Sequence, residues 1–463
     1  MQLDVTARRQ AFGAAQAQSF DLIVVGGGIT GAGIAREAAL AGMRVALFEA
    51  QDFGGGTSSR STKLFHGGLR YLAQYEFGLV RESGRERERM RHLGPHLVEP
   101  LPFVLPIYPE MAHGLFTMNA AVWMYDWLAG VERPERRARF GPAAAARTWP
   151  ELRAGMRGAV RYTEYLTDDA RCTLAVIKAA VEWGALALNY APVEGFVEAD
   201  GRVTGVKVRD AESGVGLEVR APLTVVATGP WLEQLMADRA PAKIAQSRGV
   251  HLVFPRARLP VQAALALQVE NNRLVFIIPR GDVTFVGTTD DFYEGDLRHP
   301  PVERADIEYL LGIANRYLPE AQLTAADIIG RWSGVRPLVK ETGKSAAATS
   351  RKEQLWRSPG VIAIAGGKLT AWRKMAEEIL GAITEELGAA GSPWPPALIA
   401  RGQSLSARLG LPGGRRLPPR GVAQWRDREA ARLAGAYGVA LDDAGMLAAR
   451  YGDEAEAVIA AAP

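Results

Sequence analysis

The first residues able to do chemistry are glycines set directly after a buried-looking strand. Residues 21–25 (DLIVV) form a short, branched apolar run, the pattern of a parallel strand covered on both faces. The run ends in Gly26-Gly27-Gly28-Ile29-Thr30-Gly31, and residues 35–40 then read as helix. Gly26, Gly28 and Gly31 satisfy G-x-G-x-x-G, and a second strand at 44–48 ends at Glu49, 21 positions after Gly28. In that spacing Gly26 makes the tight turn, Gly28 lets the backbone approach a pyrophosphate, and Gly31 allows the helix to pack closely on the strand. The helix N-terminus offers unpaired N–H groups to phosphate oxygens. Glu49 can accept hydrogen bonds from the adenosine ribose, and its charge disfavours a 2′-phosphate. The motif predicts a dinucleotide site and serves FAD and NAD alike.

A second junction of the same kind lies far downstream. Residues 361–365 (VIAIA) read as an apolar strand, followed by Gly366-Gly367-Lys368-Leu369-Thr370 and a helix running towards Leu380. Two anion-ready junctions in one chain imply a fold that returns to a single cofactor. Between them, residues 56–74 are polar and glycine-punctuated, dense in hydroxyls, cations and glycines over 56–71, which is expected of a phosphate-contacting loop or of an exposed solvated one. Arg336 stands in an otherwise apolar setting (SGVRPL), placed to serve a bound anion or a structural ion pair. With six histidines in the chain, His66 and His251 are the candidates for a general base.

The positioning elements are less regular. Residues 202–209 and 217–220 are predicted strands of an antiparallel meander, and 223–227 another buried strand. Residues 274–278 and 283–286 read as a hairpin. The Arg/Glu mixture over 79–97 is expected to be a solvated helix face laced with weak ion pairs. Residues 115–128 (LFTMNAAVWMYDWL) are read first as a core helix, with a stripe lying flat at a membrane surface as the sharper alternative. Residues 388–396 and 411–421 are rich in Pro and Gly and mark a boundary, beyond which 422–436 and 442–461 are helical in pattern.

Composition excludes several classes. The 463 residues are 48% apolar and 23% charged, ordinary globular usage for about three domains. One cysteine, Cys172, excludes a disulfide framework and a cysteine-ligated metal, and makes a cytosol-facing compartment the default. No metal site is expected. The longest uncharged stretch, 111–125, is shorter than the roughly 20 apolar residues a spanning helix needs. The first twenty residues do not resemble a secretory signal and read as a short helix or ordering arm. Charge is mixed throughout, with a net +4, so no nucleic-acid partner is expected.

Taken together, these motifs resemble the FAD-dependent (aerobic-type) glycerol-3-phosphate dehydrogenases, within the amino-acid-oxidase-like flavoproteins. The resemblance runs over residues 20–378. It rests on the Gly26–Glu49 fingerprint, 57–71 (TSSRSTKLFHGGLRY), Asp168-Asp169-Ala170-Arg171, Ala227-Thr228-Gly229-Pro230-Trp231, Gly287-Thr288-Thr289-Asp290, Ser333-Gly334-Val335-Arg336-Pro337-Leu338 and 366–370. It implies an α/β fold: a Rossmann-like FAD-binding domain (20–75, 155–232, 325–385), an antiparallel-sheet substrate domain (76–154, 233–324) and a small helical C-terminal domain (386–463). It implies that FAD is held by Gly26, Gly28, Gly31, Glu49, Thr57, Ser58, Ser59, His66, Gly67, Gly68, Gly229, Gly367, Lys368, Leu369 and Thr370. Arg70, Tyr71, Arg336, Arg351 and Lys368 are implied around the substrate, with Arg336, His66 and His251 as catalytic candidates. The implied reaction is oxidation of sn-glycerol 3-phosphate to dihydroxyacetone phosphate, with electrons passed to a quinone. The alternatives are an oxidase making hydrogen peroxide, or FAD chemistry on another substrate. The family's oxidases carry a sizeable insertion that this chain lacks, which favours the dehydrogenase. Cytoplasmic location, peripheral attachment to the inner face of the membrane and a homodimer are compatible expectations. Family members commonly continue past the equivalent of Ala461 with further helices, so the C-terminal domain is expected to be short.

Overall fold

The computed structural model describes residues 4–461 apart from 70–71, 73–75, 237–238, 240–243, 270–272 and 340–352. Its first sheet has six strands in the order Gln354–Ser358, Val361–Ala365, Thr224–Val226, Leu22–Val25, Val45–Phe48, Leu186–Leu188. All neighbours are parallel except the first pair. The strand period of two sorts the side chains into layers. Leu22 and Val24 face the helices Ile29–Leu40, Asp169–Glu182 and Trp372–Ala389, packing with Ile34, Val176 and Trp372. Ile23 and Val25 face a three-stranded antiparallel meander (Val193–Ala199, Arg202–Arg209, Gly216–Arg220) through Val206, Val208 and Val219. The N-terminal helix Val5–Ala15 closes that layer with Phe12, and its Arg8 donates to the Asn189 carbonyl oxygen and to Asp210 at 2.7 Å.

The second sheet has ten strands and is almost wholly antiparallel. Its spine is the long ladder between Val98–Ile107 and Gly158–Thr167. The strand Ile244–Pro255 pairs with both Val283–Gly287 and Gly330–Val339. The helix Arg304–Tyr317 covers one face and Leu115–Ala129 the other. The expected domain limits do not follow the strands. Gly158–Thr167 and Gly330–Val339, assigned by sequence to the FAD-binding part, pair within the ten-stranded sheet, and Ala159, Val160 and Tyr162 fill its cores. C-terminal helices pack on the first sheet's helices, where buried Arg36 donates to the carbonyl oxygens of Ser406 and Leu409.

Two helices differ from expectation. Phe77–Leu93 is not a solvated face: Glu86, Arg87 and Arg91 are buried. Beside the i,i+3 pairs Glu86–Arg89 and Glu88–Arg91, buried partners come from distant segments, Arg373 for Glu86 and Glu164 for Arg87, and the spacing within the helix does not reveal those. Leu115–Ala129 is core on one side only. Val122, Tyr125 and Ala129 are buried, whereas Phe116, Trp123 and Trp127 are 77%, 55% and 72% exposed. Among the described residues, no helix is long and apolar enough to cross a membrane.

Candidate active site

The carboxyl ends of the parallel strands open into a cavity of about 1120 Å³ shared with the ten-stranded sheet. On the first wall the glycines do what their spacing predicts. A Cβ on Gly26 would lie 2.6 Å from the Ala227 carbonyl oxygen, and one on Gly31 would overlap the Gly26 carbonyl, so helix and strand meet at backbone distance. Gly28 caps the helix without a side chain, and Ser58 Oγ accepts from the Ile29 N–H at 2.9 Å. Glu49 is fixed by its own neighbourhood. Its carboxylate accepts the Gly27 N–H at 2.6 Å and the Gln51 N–H at 2.8 Å. Burial pushes its pKa up, and those two backbone donors pull the other way.

The second junction reaches the same cavity. Gly366 and Gly367 take φ values of +84° and +86°, a left-handed pair that carries the chain into the turn at Lys368. Gly367, Lys368, Leu369 and Thr370 line the cavity, and Lys368 Nζ is buried there. Thr370 Oγ1 lies 3.1 Å from both the backbone N and the carbonyl O of His66, tying this turn to the 56–69 loop. In that loop Thr57 donates to the Val335 carbonyl at 2.6 Å, next to Arg336.

Arg336 projects from the ten-stranded sheet into the cavity wall. Its guanidinium meets Asp290 Oδ1 at 3.1 Å, Thr288 Oγ1 at 3.0 Å and Ser247 Oγ at 3.5 Å. Ser247 in turn donates to Asp290. Gly249 leaves the room: a Cβ there would overlap Arg336 Nη2.

The expected residues divide by position. Gly26, Gly28, Glu49, Thr57, Ser58, His66, Gly68, Gly229, Arg336 and the 367–370 turn line one cavity. Gly31, Ser59 and Gly67 stand just behind it, as packing and loop-fixing positions. Arg70, Tyr71 and Arg351 lie outside the described residues. His251 is also behind the wall. It is buried, stacked on Trp332 at 4.5 Å and 8°, with Nε2 3.1 Å from Thr62 Oγ1. Burial, reinforced by Arg336 and Lys63, holds its pKa well below the ordinary histidine value. That correction leaves His66 as the histidine facing the cavity.

Sequence reading missed several members of the wall. Glu164 and Tyr162 line it from the strand Gly158–Thr167, and Arg60, Arg273 and Arg298 add cations. Asp290 lay within a recognised motif without a role. A lone acidic residue in an otherwise largely apolar and aromatic strand (YTEYLT) is the sequence signal for Glu164.

The wall suits a dinucleotide. The volume exceeds that of most small-ligand pockets, about 300–1,000 Å³. Gly28, the N-cap residue, brings no side chain of its own over the helix N-terminus, where Ser58 takes the Ile29 N–H, and the Thr228 hydroxyl is buried at the wall without a partner among the described residues. Residues 21–373 match the family described as FAD dependent oxidoreductase. An aerobic glycerol-3-phosphate dehydrogenase of Bacillus subtilis (strain 168) is 39% identical over 447 residues, 95% of this chain and 79% of that protein. One from Staphylococcus saprophyticus is 39% identical over 394 residues, 84% of this chain and 71% of its own. The solved structure of the glycerol-3-phosphate dehydrogenase from Bacillus halodurans complexed with FAD matches with a TM-score of 0.79 at 33% identity, covering 98% of this chain and 79% of that one. The FAD-bound L-alpha-glycerophosphate oxidase from Mycoplasma pneumoniae, 16% identical with a TM-score of 0.62 over 79% of this chain and 95% of its own, shares the fold.

Glu49→Ala removes a charged acceptor, whose hydrogen bonds are worth about 1.5–3 kcal/mol. The dissociation constant for FAD is expected to rise about 10- to 150-fold, read by flavin fluorescence on titrating the apoprotein. An unchanged constant would remove Glu49 from the ribose site.

Proposed function

The chain belongs to the FAD-dependent glycerol-3-phosphate dehydrogenases of the FAD dependent oxidoreductase family, and on that basis we propose that it oxidises sn-glycerol 3-phosphate to dihydroxyacetone phosphate and delivers the electrons to a quinone. FAD, when bound, supplies the acceptor for the hydride leaving C2, at flavin N5. Gly26, Gly28, Glu49, Thr57, Ser58 and the 367–370 turn hold it. The rest of the chemistry falls to the protein's own side chains.

The observation that carries the reading is the Arg336 site. A guanidinium fixed by Asp290, Thr288 and Ser247 is a preorganised donor at the wall of the cavity. Asp290 already pairs with it, so Arg336 suits the C2 oxygen as it loses its proton better than it suits a phosphate dianion. The phosphate then falls to the other cations of the wall, Lys368 first among them, joined through the family resemblance by Arg70 and Arg351. His66 is the group we assign to accept the hydroxyl proton, because it faces the cavity and His251 does not.

A quinone is dissolved in the bilayer, so the reduced enzyme has to meet a membrane surface. The exposed stripe Phe116, Trp123 and Trp127 supports such a contact, with exposed Arg133, Arg136 and Arg139 following in sequence. Those cations add about 1 kcal/mol each against anionic lipid at best.

The holoenzyme is expected to be yellow and to bleach anaerobically with sn-glycerol 3-phosphate, forming dihydroxyacetone phosphate. A flavin that stays oxidised with this substrate would overturn the assignment. Arg336→Ala should keep FAD and lose about 2–5 kcal/mol of transition-state binding, roughly 30- to several-thousand-fold in kcat/KM. Gly249→Ala, which pushes the same guanidinium aside, should move in the same direction. Normal turnover in Arg336→Ala would remove it from the site. The wild type should sediment with anionic liposomes, less so at high salt, and the Trp123→Glu/Trp127→Glu pair should bleach normally yet fail to reduce a bilayer quinone. Equal quinone reduction in that pair would remove this helix from the contact. Oxygen uptake with stoichiometric peroxide, unaffected by quinone, would select the oxidase instead.

A further inference from the structure

We propose that Tyr125 and Glu164 are positioning residues for the catalytic segment His66–Gly68, acting through the Gly67 amide. The proposal rests on the reading that His66 faces the substrate. The Gly67 N–H donates to the Tyr125 oxygen at 3.0 Å, and the Tyr125 hydroxyl donates to Glu164 Oε1 at 2.7 Å. The other carboxylate oxygen accepts from Arg87 Nη1 at 2.7 Å, and Arg87 also donates to Tyr125 at 3.2 Å and to the Thr163 carbonyl at 3.0 Å. All three side chains are buried. They come from three elements: the helices Phe77–Leu93 and Leu115–Ala129, and the strand Gly158–Thr167.

The phenol is fully used, accepting two hydrogen bonds and donating one, so it has a single orientation. Its oxygen also explains the glycine, because a Cβ on Gly67 would overlap it. From the other side Thr370 Oγ1 grips the backbone of His66. The residue that faces the cavity is thus held between the second glycine junction and the Tyr125 hydroxyl. A buried ion pair is weak evidence for stability, since hydrophobic replacements of similar volume are often as stable. Glu164, though buried, moreover lines the cavity. What the network supplies is a fixed place for the 66–68 backbone.

Tyr125→Phe keeps the ring and removes the bond. The FAD-loaded variant is expected to retain its flavin and to unfold at nearly the wild-type temperature. Amide hydrogen exchange over 66–69 should rise about tenfold or more. The rate of anaerobic bleaching at saturating sn-glycerol 3-phosphate should fall about tenfold or more, with KM much less affected, because a displaced catalytic group costs rate before binding. Glu164→Gln, which keeps an acceptor for the phenol, should exchange more slowly over 66–69 than Tyr125→Phe. Wild-type exchange and wild-type bleaching in Tyr125→Phe would overturn the proposal and leave the hydroxyl as packing. If the wild type itself does not bleach with this substrate, the functional reading fails, and the exchange measurement alone decides the positioning role.

Discussion

One stretch of chain, residues 57–67, crosses from the parallel sheet to the ten-stranded sheet along the cavity wall, and the site exists because that crossing is fastened along its length. A half-buried segment outside regular sheet keeps one position only where its backbone donors and acceptors find partners in the protein. Ser58 takes the first amide of the helix after the glycine turn, and Thr57 reaches the carbonyl before Arg336. Ser61 and Lys63 both bond Asp169, the latter at 2.6 Å, so a fully buried carboxylate is neutralised by the segment it holds. Leu64 and Phe65 then pair with Leu166 and Tyr165, and His66 and Gly67 are taken by Thr370 and Tyr125. Each half of the molecule therefore sets the position of the other's functional groups.

The same logic explains the charged interior. Arg373 clasps Glu86 through two nitrogens, both at 2.8 Å, and also reaches Glu377. With Arg87 and Glu164, this makes the Phe77–Leu93 helix a hub between the helix after the second glycine junction and the ten-stranded sheet. Such pairs specify geometry more than they add stability, because desolvation offsets most of the attraction. Removing one partner is another matter, since it strands a charge in the interior.

Where a function is carried by contiguous residues, the sequence was legible. Strand, glycines, helix, strand and acid follow one another within thirty residues or so, and Gly26, Gly28 and Glu49 stand where that grammar puts them. The meander and the 274–287 hairpin were legible by alternation for the same reason. What failed depends on partners far along the chain. Glu86 looks like one more surface charge until Arg373, 287 positions away, arrives. Glu164 and Tyr125 are 39 positions apart and share no local pattern. The stripe over 115–129 was ambiguous because apolar content does not tell which face of a helix is covered. His251 was misplaced for a related reason: histidine identity gives chemistry, but only the register of Ile244–Pro255 against Gly330–Val339 decides that its ring stacks on Trp332 behind the wall.

That placement has a consequence for the charge of the site. Burial lowers the pKa of His251, and the nearby charges of Arg336 and Lys63 add to that effect. Protonating it would put a third cation in that environment without a carboxylate of its own, as Asp290 serves Arg336 and Asp169 serves Lys63. Burial without a carboxylate partner therefore favours the neutral imidazole, and the positive charge of the cluster resides on the Arg336 guanidinium and the Lys63 ammonium. The cluster of Arg336, Lys63 and His251 thus carries two cations, each beside a carboxylate, while the segment that carries His66 is held separately, by Thr370 and Tyr125.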